Sequence, residues 1–150
     1  MHSCQNIFIV TIYLDIKNFS RNLINNFKQC LEDKLYRLQA RYRPNLITDE
    51  NFNIITIEEE LSIIQESLNE IRKIDKDFSF GIIIEMIRSM KSEKIENIMN
   101  LSFEIKKKCP EIICGMDITG DEDNFKTFYE LKDTMLKVEN LKKEYSLNIP

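Results

Sequence analysis

Apolar residues recur at steps of three and four over four stretches of this chain, and short dense apolar runs lie between them. From Ile16 to Glu32, the positions Ile16, Phe19, Leu23, Ile24, Phe27 and Leu31 predict one face of a helix. A second helix is predicted to open at T-I-E-E. There Thr56 can cap the first turn, Glu59 can return the bond, and Ile57, Leu61, Ile64, Leu68 and Ile71 follow as the core stripe. Ser92 to Lys108 predicts a third, with Ile95, Ile98, Met99, Ser102 and Ile105 on one side. Lys106 to Lys108 suit its C-terminal dipole, and Pro110 stops it. A fourth is expected over roughly Asn124 to Lys143. The runs Leu35–Tyr42, Phe80–Ile87 and Ile112–Ile118 are rich in β-branched or aromatic residues and predict strands. The run Ile7–Leu14 reads equally as a fourth strand or an opening helical turn. Arg43 to Ile55, with Pro44 and several Asn and Asp, is expected to be the longest loop.

Helices that alternate with such strands imply α/β architecture, with βα units and parallel strands. At 150 residues the chain matches one domain, 1–150. Three strands make a thin sheet, either a small open one or part of a closed barrel.

Composition narrows the partners. The charged fraction of 31% predicts a well-solvated surface, and a net charge of −4 argues against a nucleic-acid partner. No segment approaches the roughly 18 uninterrupted apolar residues of a membrane span. The N-terminal apolar stretch has no preceding basic residue and no small-residue cleavage site, so it makes a poor signal peptide. The four cysteines, Cys4, Cys30, Cys109 and Cys114, form no C-x-x-C pair and read as reduced and partly buried. The single histidine, His2, leaves no zinc cluster to build with them.

Chemistry in parallel α/β folds gathers where strands end. The polar strand ends here are Gln39–Arg43, Arg88–Ser92 and Asp117–Asp123, and the last is the richest: C-G-M-D-I-T-G-D-E-D from Cys114. Gly120, one of only three glycines, would let backbone N–H groups approach a ligand. Asp117 could orient a ligating or catalytic group from behind. In the alternative reading, Asp121, Glu122 and Asp123 only favour the N-terminus of the following helix.

The segment M-D-I-T-G-D-E-D, preceded by F-E-I-K-K-K-C-P-E-I-I-C-G, resembles the adenosine deaminase family, and most of all its secreted, growth-factor-like branch. There the corresponding strand ends in a D-hydrophobic-x-G-x-E-D pattern. I-I-I-E-M-I-R-S-M-K-S resembles the branch's preceding strand, which ends in H-R-S-K. K-L-Y-R-L-Q-A-R-Y-R-P resembles its L-Y-x-E-L-R-x-R strand, and the segment with Tyr129 and Lys132 its Y-K-x-A-L helix. The resemblance spans about Leu35 to Pro150. It implies part of a TIM (β/α)8 barrel, an adenosine or related purine nucleoside as substrate, and zinc-assisted hydrolysis to inosine. On this analogy Gly120 offers its N–H to a purine ring nitrogen and Asp117 supports the site from the second shell.

The chain departs from that pattern where the metal should bind. No H-x-H exists, and the family's H-A-G-E would come only after Pro150. Ile87 replaces the branch's substrate-facing histidine, while Arg37 and Gln39 replace the acid and arginine of E-L-R. The expectation is therefore a deaminase-like fragment that binds no zinc alone, has no catalytic residue, and does not turn over adenosine. Its part-barrel faces would favour self-association. The alternatives are a decayed paralogue acting through association and an unrelated α/β interaction module.

Overall fold

The computed structural model describes residues 14–121, 123–146 and 149. The expectations for Ile7–Tyr13, His2, Cys4, Glu122 and Pro150 lie outside the described residues. The chain divides into two compact units, residues 1–80 and 81–150.

In the first unit, β1 (Leu14–Asp15) leads into α1 (Ile16–Glu32), followed by β2 (Arg37–Tyr42), β3 (Ile47–Thr48) and α2 (Ile57–Arg72). The Asp15 side chain accepts from the Asn18 N–H at 2.9 Å and so satisfies one of the orphan donors of α1. Phe19, Leu23 and Phe27 are buried as the periodicity predicts, while Ile16, Ile24 and Leu31 are half-buried at the edges of the stripe. Phe27 carries the aromatic centre, with ring centroids 5.4 Å from Phe78 and 4.9 Å from Phe80. Helix α1 ends in a Schellman arrangement: Lys34 N–H donates to Leu31 O at 3.0 Å and Leu35 N–H to Cys30 O at 2.8 Å. Lys34 adopts φ 59 there without glycine. The capping box at Thr56 and Glu59 forms as predicted.

The expected loop at 43–55 contains more order than its composition suggests. Strand β3 pairs in parallel with β1, and Thr48 bridges antiparallel to Ile54. Asp49 Oδ1 accepts the N–H groups of Asn51 and Asn53, both at 2.8 Å, and so closes the turn between them. The other end of the loop is tied to Glu60, which is fully buried. Its carboxylate accepts the Tyr42 O–H and the backbone N–H groups of Asn45 (3.3 Å) and Ile47 (3.4 Å). Burial pushes the Glu60 carboxyl above its ordinary value, against the pull of those donors. Burial, reinforced by the Glu60 charge, pushes the Tyr42 phenol up and keeps it a donor.

The second unit begins within β4 (Ser79–Ile87) and continues through α3 (Ser92–Lys108), β5 (Ile113–Thr119) and α4 (Lys132–Tyr145). Strands β4 and β5 run parallel, with α3 as the crossover. The register is irregular between Ile82 and Ile83, where Ile82 pairs with Ile113 and Ile83 with Gly115. Gly81 makes room beside this step: a Cβ on it would lie 2.9 Å from Cys114 Sγ. Ile95, Ile98, Met99, Ser102 and Ile105 are all buried, as the α3 stripe predicts.

Lys106 does more than complement the α3 dipole. Its Nζ donates to Pro110 O (2.5 Å) and Ile113 O (2.6 Å), bracing the turn into β5. The fourth helix starts eight residues later than expected, at Lys132 rather than about Asn124. Asp and Asn side chains bond locally and compete with the helical backbone. Asp121 accepts from Asp123 N–H at 2.9 Å and from the Asn124 side chain, so 121–125 closes a turn of its own. Asp121 and Asp123 therefore do not sit at the N-terminus of α4, and Tyr129 lies before that helix rather than in it.

The architecture is thus α/β with parallel pairing in each unit and helices alternating with strands. Among the described residues the strands do not close into a barrel, and no described helix is long and apolar enough to cross a membrane.

Two stability outcomes follow. Thr56→Ala removes the capping box and should lower the free energy of unfolding by about 1 kcal/mol, read by urea denaturation. Because the Glu60 pKa is raised in the folded state, its contribution is full below the unfolded value of 4.5 and is lost as pH rises through the folded value. The urea midpoint of the wild type should therefore fall as pH rises above 4.5 and through the raised folded value, and Glu60→Gln should flatten that slope. An unchanged slope would remove the assignment.

Candidate functional site

The C-terminal ends of β4 and β5 meet in the second unit. Parallel pairing places Glu85 opposite Asp117 and Ile87 opposite Thr119, and because side chains alternate along strands these four share one sheet face. All four are half-buried. Thr119 Oγ1 donates to Glu85 Oε1 at 3.0 Å, so a hydroxyl and a carboxylate are already joined across the strands.

Gly120 follows at the strand end, exposed and with φ 113. L side chains rarely adopt that conformation. Space does not demand the glycine: a Cβ would lie 3.6 Å from Arg88 Cβ and 3.7 Å from Ile87 Cγ2, ordinary contact distances. The backbone turn demands it. Gly120 thus sits directly beside Ile87 and Arg88. The isoleucine presents a methyl group there.

The two strand-end loops are braced against each other. Arg88 N–H donates to Thr119 O at 2.9 Å, and Arg88 Nη1 donates to Lys126 O at 3.1 Å. In return Lys126 Nζ donates to Met90 O at 2.8 Å and to Ser92 Oγ at 3.3 Å. The Arg88 guanidinium carbon also lies 4.4 Å from the centroid of the Phe128 ring. Phe128 belongs to a second box, T-F-Y-E. There Glu130 accepts from Thr127 N–H (2.8 Å) and Oγ1 (3.0 Å), and Thr127 Oγ1 accepts from Glu130 N–H (3.3 Å). Those bonds hold the exposed Glu130 carboxyl below its ordinary value, as the Asn124 and Asp123 donors do for Asp121.

Asp117 also lines a cavity of 340 Å³, whose wall includes Met86, Met116, Phe128 and Met135. A larger cleft of 510 Å³ lies in the first unit, but its acids already have structural tasks. Asp15 caps α1, Asp49 closes its turn, and Glu50 pairs with Lys17 at 2.7 Å.

Of the residues expected from sequence, Gly120 and Asp117 fall at one strand end with Ile87 beside them. Arg37 and Gln39 lie on β2 in the first unit. Arg88, Lys126 and Phe128 were not singled out from sequence as site residues. The spacing T-x-x-E at Thr127 was the available signal that the loop turns there. Among the described residues, no group of three or more His, Cys, Asp or Glu side chains is placed to hold a metal ion. Cys30, Cys109 and Cys114 are free thiols.

No protein-family model matches this chain, and no curated protein matches it.

Gly120→Ala should lower the free energy of unfolding by about 1–3 kcal/mol through backbone strain alone. A denaturation midpoint equal to the wild type's would show that the turn relaxes without loss.

Proposed function

We propose that the C-terminal end of the β4–β5 pair is the purine-facing part of an adenosine deaminase-like site, carried without the metal-binding part. The observation that carries this reading is the placement of D-I-T-G. Asp117 lies near the end of a parallel strand, and Gly120 turns away from it with φ 113, exposed beside the end of the neighbouring strand. Ligands of parallel α/β folds bind at that edge. On this reading the alternating strands and helices are part of a (β/α)8 barrel, Gly120 N–H meets a purine ring nitrogen, and Asp117 supports the site from the second shell. Zinc generates the attacking hydroxide in the deaminase family. This chain contains no H-x-H pair, and His2 is its only histidine. It is therefore proposed to hold a nucleoside weakly and to form no inosine alone.

A second reading, a non-catalytic module that acts by association, draws on the exposed Phe125, Tyr129 and Leu136 of the same unit. The two separate in one titration. With adenosine, the amide signal of Gly120 in an ¹⁵N-labelled sample should shift while those of Gly81 and Gly115 stay in place, and an assay with added zinc should show no inosine. No shift at Gly120 at millimolar adenosine would end the nucleoside reading. A concentration-dependent dimer in sedimentation would then favour the second.

A further inference from the structure

The cavity of 340 Å³ in the second unit lies on the sheet face opposite Glu85 and Asp117. Met86 stands opposite Ile118 on that face, and Met116 precedes them on β5. Met99 of α3 and Met135 of α4 close the other side. Four of the chain's six methionines thus surround one space. Its deep end is shut off from solvent, with Met86, Met99 and Ile149 each no more than 1% exposed. Met116, Ile118 and Met135 are half-buried toward its mouth. Neither Gly120 nor Arg88 borders it, so it is separate from the strand-end site.

The lining sets a chemical preference. No hydroxyl, amide or imidazole side chain borders the cavity, and its charged neighbours are already committed. Lys142 Nζ bonds Glu139 Oε1 at 2.9 Å, so those two charges offset each other. Asp117 sits between Met116 and Ile118 on β5, and alternation turns its carboxylate to the other sheet face. An ion would lose its hydration here without gaining a partner. An uncharged apolar molecule restores the dispersion contacts that an empty space forgoes. Thioether side chains are flexible and polarisable, fit irregular shapes and make favourable contacts with aromatic rings. An apolar cavity of about 150 Å³ takes up benzene. This one therefore suits about two rings, and its volume falls within the roughly 300–1,000 Å³ of small-molecule sites.

We infer that this methionine-lined cavity is a binding site for an uncharged, apolar aromatic molecule of about two rings. The inference does not rest on the nucleoside reading. The two sites face opposite sides of the sheet, and either stands without the other.

The test uses the full chain labelled with ¹³C-methyl methionine, each signal assigned by leucine substitution. The probes are 1-naphthol, which is uncharged at neutral pH, and its charged counterparts 1-naphthoate and 1-naphthylmethylammonium. The expected result is that 1-naphthol shifts the signals of Met86, Met99, Met116 and Met135. Met90, which does not border the cavity, should stay in place. Affinity for 1-naphthol should exceed that for either ion by at least about tenfold. Met116→Trp fills the mouth and should abolish the shifts at the other three methionines, with its fold checked by circular dichroism. Glu139→Gln, at an exposed position, removes the partner of Lys142 and should raise the affinity for 1-naphthoate alone. No methionine shift at millimolar 1-naphthol overturns the site, and so does an equal shift at Met90, the mark of loose surface association. Charged probes that match 1-naphthol overturn the ligand class. Methionine shifts that grow with protein concentration in the absence of probe would show a second copy filling the space, and overturn the assignment. Competition between adenosine and 1-naphthol would merge the two sites and overturn it as well.

Discussion

Parallel strands cannot be joined by a tight turn, and that constraint organises both halves of this chain. Each parallel pair needs a crossover, and the crossovers here are helices whose apolar stripes must be buried. In the second unit, α3 carries the chain from the end of β4 back to the start of β5. Both strands therefore finish at the same edge, and the polar residues that follow them are brought together whatever their distance in sequence. Glu85, Asp117, Thr119, Gly120 and Arg88 share a neighbourhood for that reason. The step in register beside Gly81 sets which of them stand opposite each other.

Having reached one edge, the two loops are held by complementary use of side chain and backbone. Arg88 donates to the main chain of the β5–α4 connection, and Lys126 donates to the main chain and Ser92 of the β4–α3 connection. Each long cation satisfies carbonyl oxygens that the end of a strand or the approach to a helix would otherwise leave to water. Lys106 does the same at the opposite end of β5. A chain with only three glycines can thus order its turns through lysine, arginine, Asp and Thr side chains and reserve glycine for Gly120, whose φ no other residue adopts readily.

The first unit solves a different problem. Glu60 lies in the first turn of α2, where the helix dipole favours an acid, yet it is buried and faces the loop after β2. Its carboxylate gathers Tyr42, Asn45 and Ile47, so a charge that burial disfavours is offset only in part by three donors. Glu59 thus caps the helix while its neighbour Glu60 holds the loop ahead of it.

How much of this was legible beforehand depended on the range of the forces involved. Helices α1 and α3 and the capping box of α2 followed from spacing and from residues three positions apart, because helix formation and capping are local. Strands β2, β4 and β5 were found as apolar runs within a residue or two, since β-branched density marks a covered strand. The late start of α4 escaped because Asp121 and Thr127 make competing local turns that the apolar periodicity does not register. The pairing of Glu85 with Asp117, the brace between Arg88 and Lys126, and the seat of Phe128 on Arg88 depend on residues 32 or more positions apart. By itself, the sequence determined the α/β alternation and pointed to Asp117 and Gly120 at a strand end. Which side chains stand beside them was decided only by the tertiary structure, because strand register and crossover geometry choose those neighbours and neither is written in any short stretch of chain.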